Sequence, residues 1–332
     1  MIRRISAVSL LSTLSLVACG NDHTAPAGAA DAPAAIADAA PDASTLGDLP
    51  PAVDGFQIRT PDIVIQPGQE ITYCYYFHTP NTSQVVVKSW QSSMTPGSHH
   101  MILYFSQTAN MPDGTLDPSG NCGGANLNNL AVWTYLAQEP VAESDMPSDD
   151  GTGTPVGMPV PANQPAAMQL HYLNASDAAI TVHASLDANG YPDGTVYTQA
   201  DAYVTYNTQI DIPPGPGSTA SVQGTCAVPD GAKFFTMSTH SHKQSVMTQV
   251  ADGSAVVQTS TDWEHPTETT WGTMPFFSFA SGSLTYSCNY LNETTNEIVT
   301  GPSAQTNEMC MAIGYFFPAT KSKMCINSTV IR

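Results

Sequence analysis

Turn-forming clusters cut this 332-residue chain into pieces too short for long helices. Pro67-Gly68, Pro112-Asp113-Gly114, Ala188-Asn189-Gly190 and residues 213–217 each end an alternating or β-branched run. The runs between them, such as residues 70–77, 85–90, 101–106, 179–186, 255–259 and 313–317, have strand length and strand composition. Closely spaced strands with Gly and Pro between them predict an all-β fold of antiparallel sandwiches. Only residues 125–137 suggest a helix, and no fixed-period repeat is visible.

The N-terminus reads differently. Arg3-Arg4 precedes an apolar run from Ala7 to Ala18 that ends in Leu16-Val17-Ala18-Cys19. That run is short of the roughly 20 residues a membrane span needs and reads as an export signal over residues 1–18. The tetrapeptide resembles a bacterial lipobox, which implies cleavage before Cys19 and lipidation of its thiol. The alternative is an ordinary signal peptide with Cys19 incidental. At roughly 0.8 kcal/mol per buried methylene, several acyl chains hold a protein firmly on a membrane. The expected location is therefore exported and lipid-anchored, at the outer membrane, the cell surface or in the periplasm. Residues 20 to about 52 are almost all Ala, Pro, Asp, Gly and Ser, too polar and small to offset their ordering entropy. A flexible tether is expected over 19–54, followed by two domains of ordinary size, 55–200 and 201–332.

A net charge of −19 with only nine Lys plus Arg argues against nucleic acid, because phosphate binding needs a basic face. It also leaves no polybasic patch for anionic lipid, so membrane contact is expected through the lipid anchor alone. Setting Cys19 aside, Cys74, Cys122, Cys226, Cys288, Cys310 and Cys325 form an even set. In an exported chain that implies disulfides, in any of fifteen connectivities.

The histidines carry the chemistry. His240 and His242 fall on one side of an extended segment, because strand side chains alternate with period two. Adding Met309 makes a soft site of two nitrogens and one sulfur, which suits copper cycling through Cu(I) better than zinc, calcium or magnesium. His99, His100 and His171 offer a second, all-nitrogen site. Adjacent His99 and His100 can serve one metal only where the chain bends, and Thr95-Pro96-Gly97-Ser98 supplies a turn there. His183 reads as a structural strand residue and His265, in Glu264-His265-Pro266, as a structural one, while His78 and His23 have no partners in sequence. The acidic stretch 143–150 reads as a solvated loop rather than a calcium site.

The segments SHHMILYF (98–105), MQLHYLN (168–174), THSHKQSV (239–246), DWEHP (262–266) and NEMCMAIGYFF (307–317) resemble the copper type II, ascorbate-dependent monooxygenases, in family order from about residue 55 onward. The resemblance implies two jelly-roll-like β-sandwiches packed side by side, each giving ligands to one of two coppers. It assigns His240, His242 and Met309 to the oxygen-activating copper and His99, His100 and His171 to the electron-transfer copper. Gln169 is given a supporting place near the cleft between them. It also implies Cys226–Cys325 and Cys288–Cys310, leaving Cys74–Cys122.

The expected function is hydroxylation of a C–H bond of a small-molecule substrate, using O2 and an external one-electron reductant, ascorbate-like or an unknown bacterial donor. The alternative is a non-enzymatic copper-binding or adhesion lipoprotein on the same fold. In the peptide-processing members an Arg, an Asn and a Tyr grip a substrate carboxylate. Ser238, Met311 and Ile313 stand at those positions, so a small, neutral substrate is expected.

Overall fold

A computed structural model describes residues 46–122, 131–304 and 306–331. The export signal, Cys19, the tether up to residue 45 and residues 123–130 lie outside the described residues.

Two large sheets make the first half, beside a two-stranded one of Ile63–Ile65 and Ile180–Val182. One orders Phe56–Arg59, Ala184–Gly190, Val85–Met94, Val156–Val160 and Thr198–Gln199, with Val141–Asp145 also paired to Val85–Met94. The other orders Leu116–Asp117, Glu70–His78, Pro165–Leu173, Ser98–Phe105 and Val132–Ala137. Their inner faces meet at Trp90, whose ring lies 5.9 Å from Tyr135 and 6.4 Å from Phe105. Ser92 Oγ and Tyr135 OH share a 2.8 Å hydrogen bond across the same gap.

The second half repeats the scheme. Thr269–Thr270, Lys233–Ser241, Cys310–Phe317, Asp201–Tyr206, Lys323–Ile326 and Thr329–Val330 form one sheet; Ser218–Ala227, Ser283–Asn292, Ser245–Asp252 and Ala255–Ser260 form the other. Tyr203, Phe234, Leu284, Tyr286 and Phe316 fill the space between. Cys226–Cys325 and Cys288–Cys310 each tie one sheet to the other, and Cys74–Cys122 lies in the first half. This is the pairing the resemblance implies. Closing a loop of 99 residues, the Cys226–Cys325 bridge stabilises by about 4–5 kcal/mol in the chain-entropy account.

The strand Cys310–Phe317 is buried at every position because both of its faces are covered. Cys310, Ala312 and Phe316 point into the second sandwich. Met311, Ile313, Tyr315 and Phe317 alternate with them and join the core cluster of the first. Tyr315 OH donates to the Thr134 carbonyl at 2.5 Å, so the two halves are hydrogen-bonded as well as packed.

Three expectations need correction. Residues 132–137 are a strand, not a helix: Val132, Trp133 and Tyr135 suit a pleated surface and pair with Ser98–Phe105. The last residues assigned to the tether are docked on the first sandwich. Gly47 is buried, its N–H donating to Ser93 Oγ at 2.8 Å and its carbonyl accepting from Ser185 Oγ at 2.6 Å. Val53 N–H donates to Asn189 Oδ1. Backbone and hydroxyl partners replace the apolar anchors this segment lacks. Finally, the acidic stretch is half strand, Val141–Asp145, and the Asp150 carboxylate accepts from Thr152 and Thr198 hydroxyls.

Candidate metal centre

The alternation along Cys310–Phe317 aims the second-domain ligands. His240 pairs with Met311, and paired residues share a face, so His240 looks towards the first sandwich. Thr239 looks the other way and shares a 2.7 Å hydrogen bond with Thr248 in the opposite sheet. Continuing the register past Ser241–Cys310 brings Met309 level with His242. Met309 is half-buried against the first-domain core, and its carbonyl accepts from Tyr290 OH at 2.8 Å.

In the first domain, Met168, Leu170 and Tyr172 point into the sandwich, which turns Gln169 and His171 outward. His171 pairs with His100, while Tyr172 pairs with Ser98. His99 is therefore the extra residue of a β-bulge, and a bulge re-aims a side chain. That is how two adjacent histidines come to face one point. The turn before them holds Gly97 at φ +93°, where an added Cβ would lie 3.1 Å from the Leu173 carbonyl oxygen.

His99, His100 and His171 each bring a ring nitrogen within 4.8 Å of the others. The second pair lies directly beside them: the His100 and His240 ring centroids are 5.7 Å apart, and His240 and His242 are 5.4 Å apart. Trp263 lies 5.4 Å from His99 and Trp133 lies 5.5 Å from His240, closing the cluster on two sides. Five imidazoles thus form one contiguous group between the sandwiches.

Hydrogen bonds set which nitrogens face inward. His171 Nε2–H donates to Glu70 Oε1 at 2.6 Å, leaving Nδ1 as a lone-pair nitrogen that is buried without a partner. His100 Nε2–H donates to Gln169 Oε1 at 3.1 Å, and Gln169 Nε2 is held by the Gly120 carbonyl. His100 Nδ1 then faces His99 Nδ1 at 3.1 Å, and His99 Nε2 is buried without a partner. His242 Nδ1–H donates to the Asn307 carbonyl at 3.0 Å, and His240 Nδ1–H to Gln138 Oε1 at 3.3 Å. Both leave Nε2 as the nitrogen with a lone pair to offer.

Burial keeps these rings neutral. It lowers His99 and His242 to about 4 and pushes His100 and His240 well below the usual histidine range, with neighbouring imidazoles adding to the effect. His171 is lowered by burial too, against the pull of Glu70. Neutral imidazoles are ready ligands, because no proton has to leave first.

Sequence reasoning missed Glu70, Gln138, Glu308, Trp133 and Trp263. Glu308 is fully buried, accepts the N–H groups of His242 and Gln244 at 2.9 and 2.7 Å, and is raised to about 7 by burial. It pins the turn after His242 to the segment carrying Met309. Its place beside Met309 was the one available signal. Gln169 acts as a positioning residue for His100. Of the remaining described histidines, His78 pairs with Asp113 at 2.7 Å and His183 with Asp62 at 3.2 Å, whereas His265, 3.8 Å from Glu139, lines a cavity with Gln138 and helps lower His99.

A cavity of about 230 Å3 opens at Gln138, beside His240. Ser238, Ile313, Tyr135, Tyr315 and His265 line it with three carboxylates, Glu139, Glu143 and Glu268, and with no Lys or Arg among the described residues. Met311 is not in its wall but in the core.

Residues 200–331 match the family described as copper type II ascorbate-dependent monooxygenase, C-terminal domain. The second half of the chain is thus similar to the C-terminal domain of that family. No curated protein matches the chain. Among solved structures it is similar to the major capsid protein P2 from Bacteriophage PM2, at 6% identity and a TM-score of 0.30, over 77% of this chain and 97% of that one. At that score the likeness carries no argument. The donor set itself fits copper: neutral imidazoles with inward lone pairs, two of them orphaned and buried, beside a thioether-bearing segment.

Proposed function

We propose that this chain is a monooxygenase with two copper ions, one on His99, His100 and His171 and the other on His240, His242 and Met309. Copper held there supplies one-electron redox chemistry with O2, for the net reaction RH + O2 + 2 e− + 2 H+ → ROH + H2O. The observation that carries the reading is the contiguous set of five neutral imidazoles, four of which have an outer nitrogen already committed, to Glu70, Gln169, Asn307 or Gln138.

The chain's own residues do four things. Glu70 and Gln169 hold His171 and His100 in one tautomer and orientation, and Asn307 and Gln138 do the same for His242 and His240. Burial keeps all five rings unprotonated. Trp133 and Trp263 cover two sides of the cluster and exclude water. The 5.7 Å approach of His100 to His240 shortens the path an electron travels between the sets. The cavity at Gln138 is the substrate site in this reading, and with three carboxylates and no described Lys or Arg in its wall it disfavours a substrate carboxylate.

The three disulfides suit an exported protein. Lipidation at Cys19 and attachment to a membrane complete the proposal. Oxygen consumption by the copper-loaded protein tests it, in the presence of reductant and a panel of small substrates. Substrate-dependent uptake with one hydroxylated product per O2 is expected. Tightly bound copper without such uptake favours the binding-only alternative.

A further inference from the structure

A second, smaller cavity of about 210 Å3 lies on the far side of the first histidine set. Glu70, Thr72, Ser119 and Gly120 line it from the first sandwich, and Pro302 and Ser303 from the second. Two of its wall residues are wired to the cluster. The Glu70 carboxylate accepts His171 Nε2–H at 2.6 Å. The Gly120 carbonyl accepts from Gln169 Nε2, and Gln169 Oε1 accepts from His100 Nε2. A molecule in this cavity is thus one hydrogen-bonded step from His171 and two from His100. It touches neither His240 nor the substrate cavity at Gln138, with which it shares no lining residue.

We infer that this cavity is the docking site for the electron donor, and that the donor is a small uncharged molecule bearing hydroxyl groups, of hydroquinone type. The inference rests on the copper monooxygenase reading above. Placement argues for the electron donor, because the site abuts the histidines assigned to electron transfer and is separate from the substrate cavity. The lining argues for the chemistry. Hydroxyls of Thr72 and Ser303 offer hydrogen bonds, prolines offer an apolar wall, and the sole charge among the described lining residues is the Glu70 carboxylate. Among the described residues no Lys or Arg faces the cavity, and the chain carries −19 overall, so an anion such as ascorbate has no counter-charge there. Oxidation of one hydroquinone to benzoquinone releases two electrons, one at a time, and two protons. The electrons reduce two Cu(II) to two Cu(I), and the protons leave to solvent.

The test uses two cavity-filling variants from opposite walls, Thr72→Phe and Ser303→Phe, so that one remains informative if the other does not fold. Hydroquinone binding to the copper-free protein is followed by saturation-transfer NMR. Anaerobic reduction of the copper-loaded protein by hydroquinone, ascorbate and dithionite is followed by stopped flow. Wild type should bind hydroquinone without copper and show saturating reduction by it. Each folded variant should lose the NMR signal and need roughly ten-fold more hydroquinone for half-saturation, a loss of about 1.4 kcal/mol. Dithionite provides the reference rate, and ascorbate should reduce all forms without saturation. Unchanged hydroquinone binding in the folded variants would overturn the inference, and so would ascorbate saturating and responding to the fillings as hydroquinone is expected to. The copper-free binding result is independent of whether the protein turns over, so a failure of the monooxygenase reading and a failure of the docking site are told apart.

Discussion

The imidazoles of His100 and His240, which come from different sandwiches, meet edge-on with centroids 5.7 Å apart and planes at 84°. The two proposed ligand sets therefore share a border. Metal loss from one set should be felt at the other. In His240→Ala, the electron paramagnetic resonance spectrum of the copper on His99, His100 and His171 should change in g and hyperfine values. A spectrum identical to that component in wild type would contradict the shared border.

Glu70 and Gln169 hold His171 and His100 from behind. Removing either support, as Glu70→Ala or Gln169→Leu, should weaken copper at the first set by about 10–100-fold, the usual cost of losing a ligand's hydrogen-bond partner. Competition with a chelator measures this. Glu70→Gln should be milder, since an amide oxygen still accepts from Nε2–H. Equal affinity in Glu70→Ala and wild type would remove the positioning role.

Met309→Ile conserves bulk and apolar character while deleting the thioether. Its expected signature is normal folding, weakened Cu(I) at the second set and loss of turnover, because softness is what the position contributes. Unaltered Cu(I) affinity against a chromophoric chelator would show that Met309 is packing alone.

Much of this arrangement is legible in the chain itself. The alternating runs place His240 with His242 and Gln169 with His171, and six cysteines in an exported chain call for bridges. The pairing of those bridges and the assignment of ligands to coppers came from family resemblance rather than from spacing. What stays hidden is set by contacts distant in sequence. Glu70 reaches His171 across 101 residues and Gln138 reaches His240 across 102. The bulge at His99 is a register event between two strands, invisible along one of them. The described part of the helix expected at 125–137 shows the same limit: Val132–Ala137 becomes a strand because Ser98–Phe105 lies beside it. The docked end of the tether depends on Ser93, Ser185 and Asn189, none of them near it in sequence.

Buried neutral histidines make stability depend on pH in a definite direction. His99 and His242 titrate near 4 when folded and near 6.5 when unfolded. Between those values the unfolded chain binds more protons, so acid favours unfolding. The copper-free protein should be most stable above pH 6.5, and its urea midpoint should fall as pH drops from 6.5 towards 4. A midpoint that is flat, or that rises on acidification, would mean the rings are solvated or already charged.

Anaerobic titration of copper into the copper-free protein, read as bound metal per chain, tests the central claim most directly. Wild type should take up two equivalents tightly, His171→Ala and His242→Ala one each, and the double variant none. A wild-type endpoint of one equivalent, or a double variant that still holds copper tightly, would contradict two sites built from these residues.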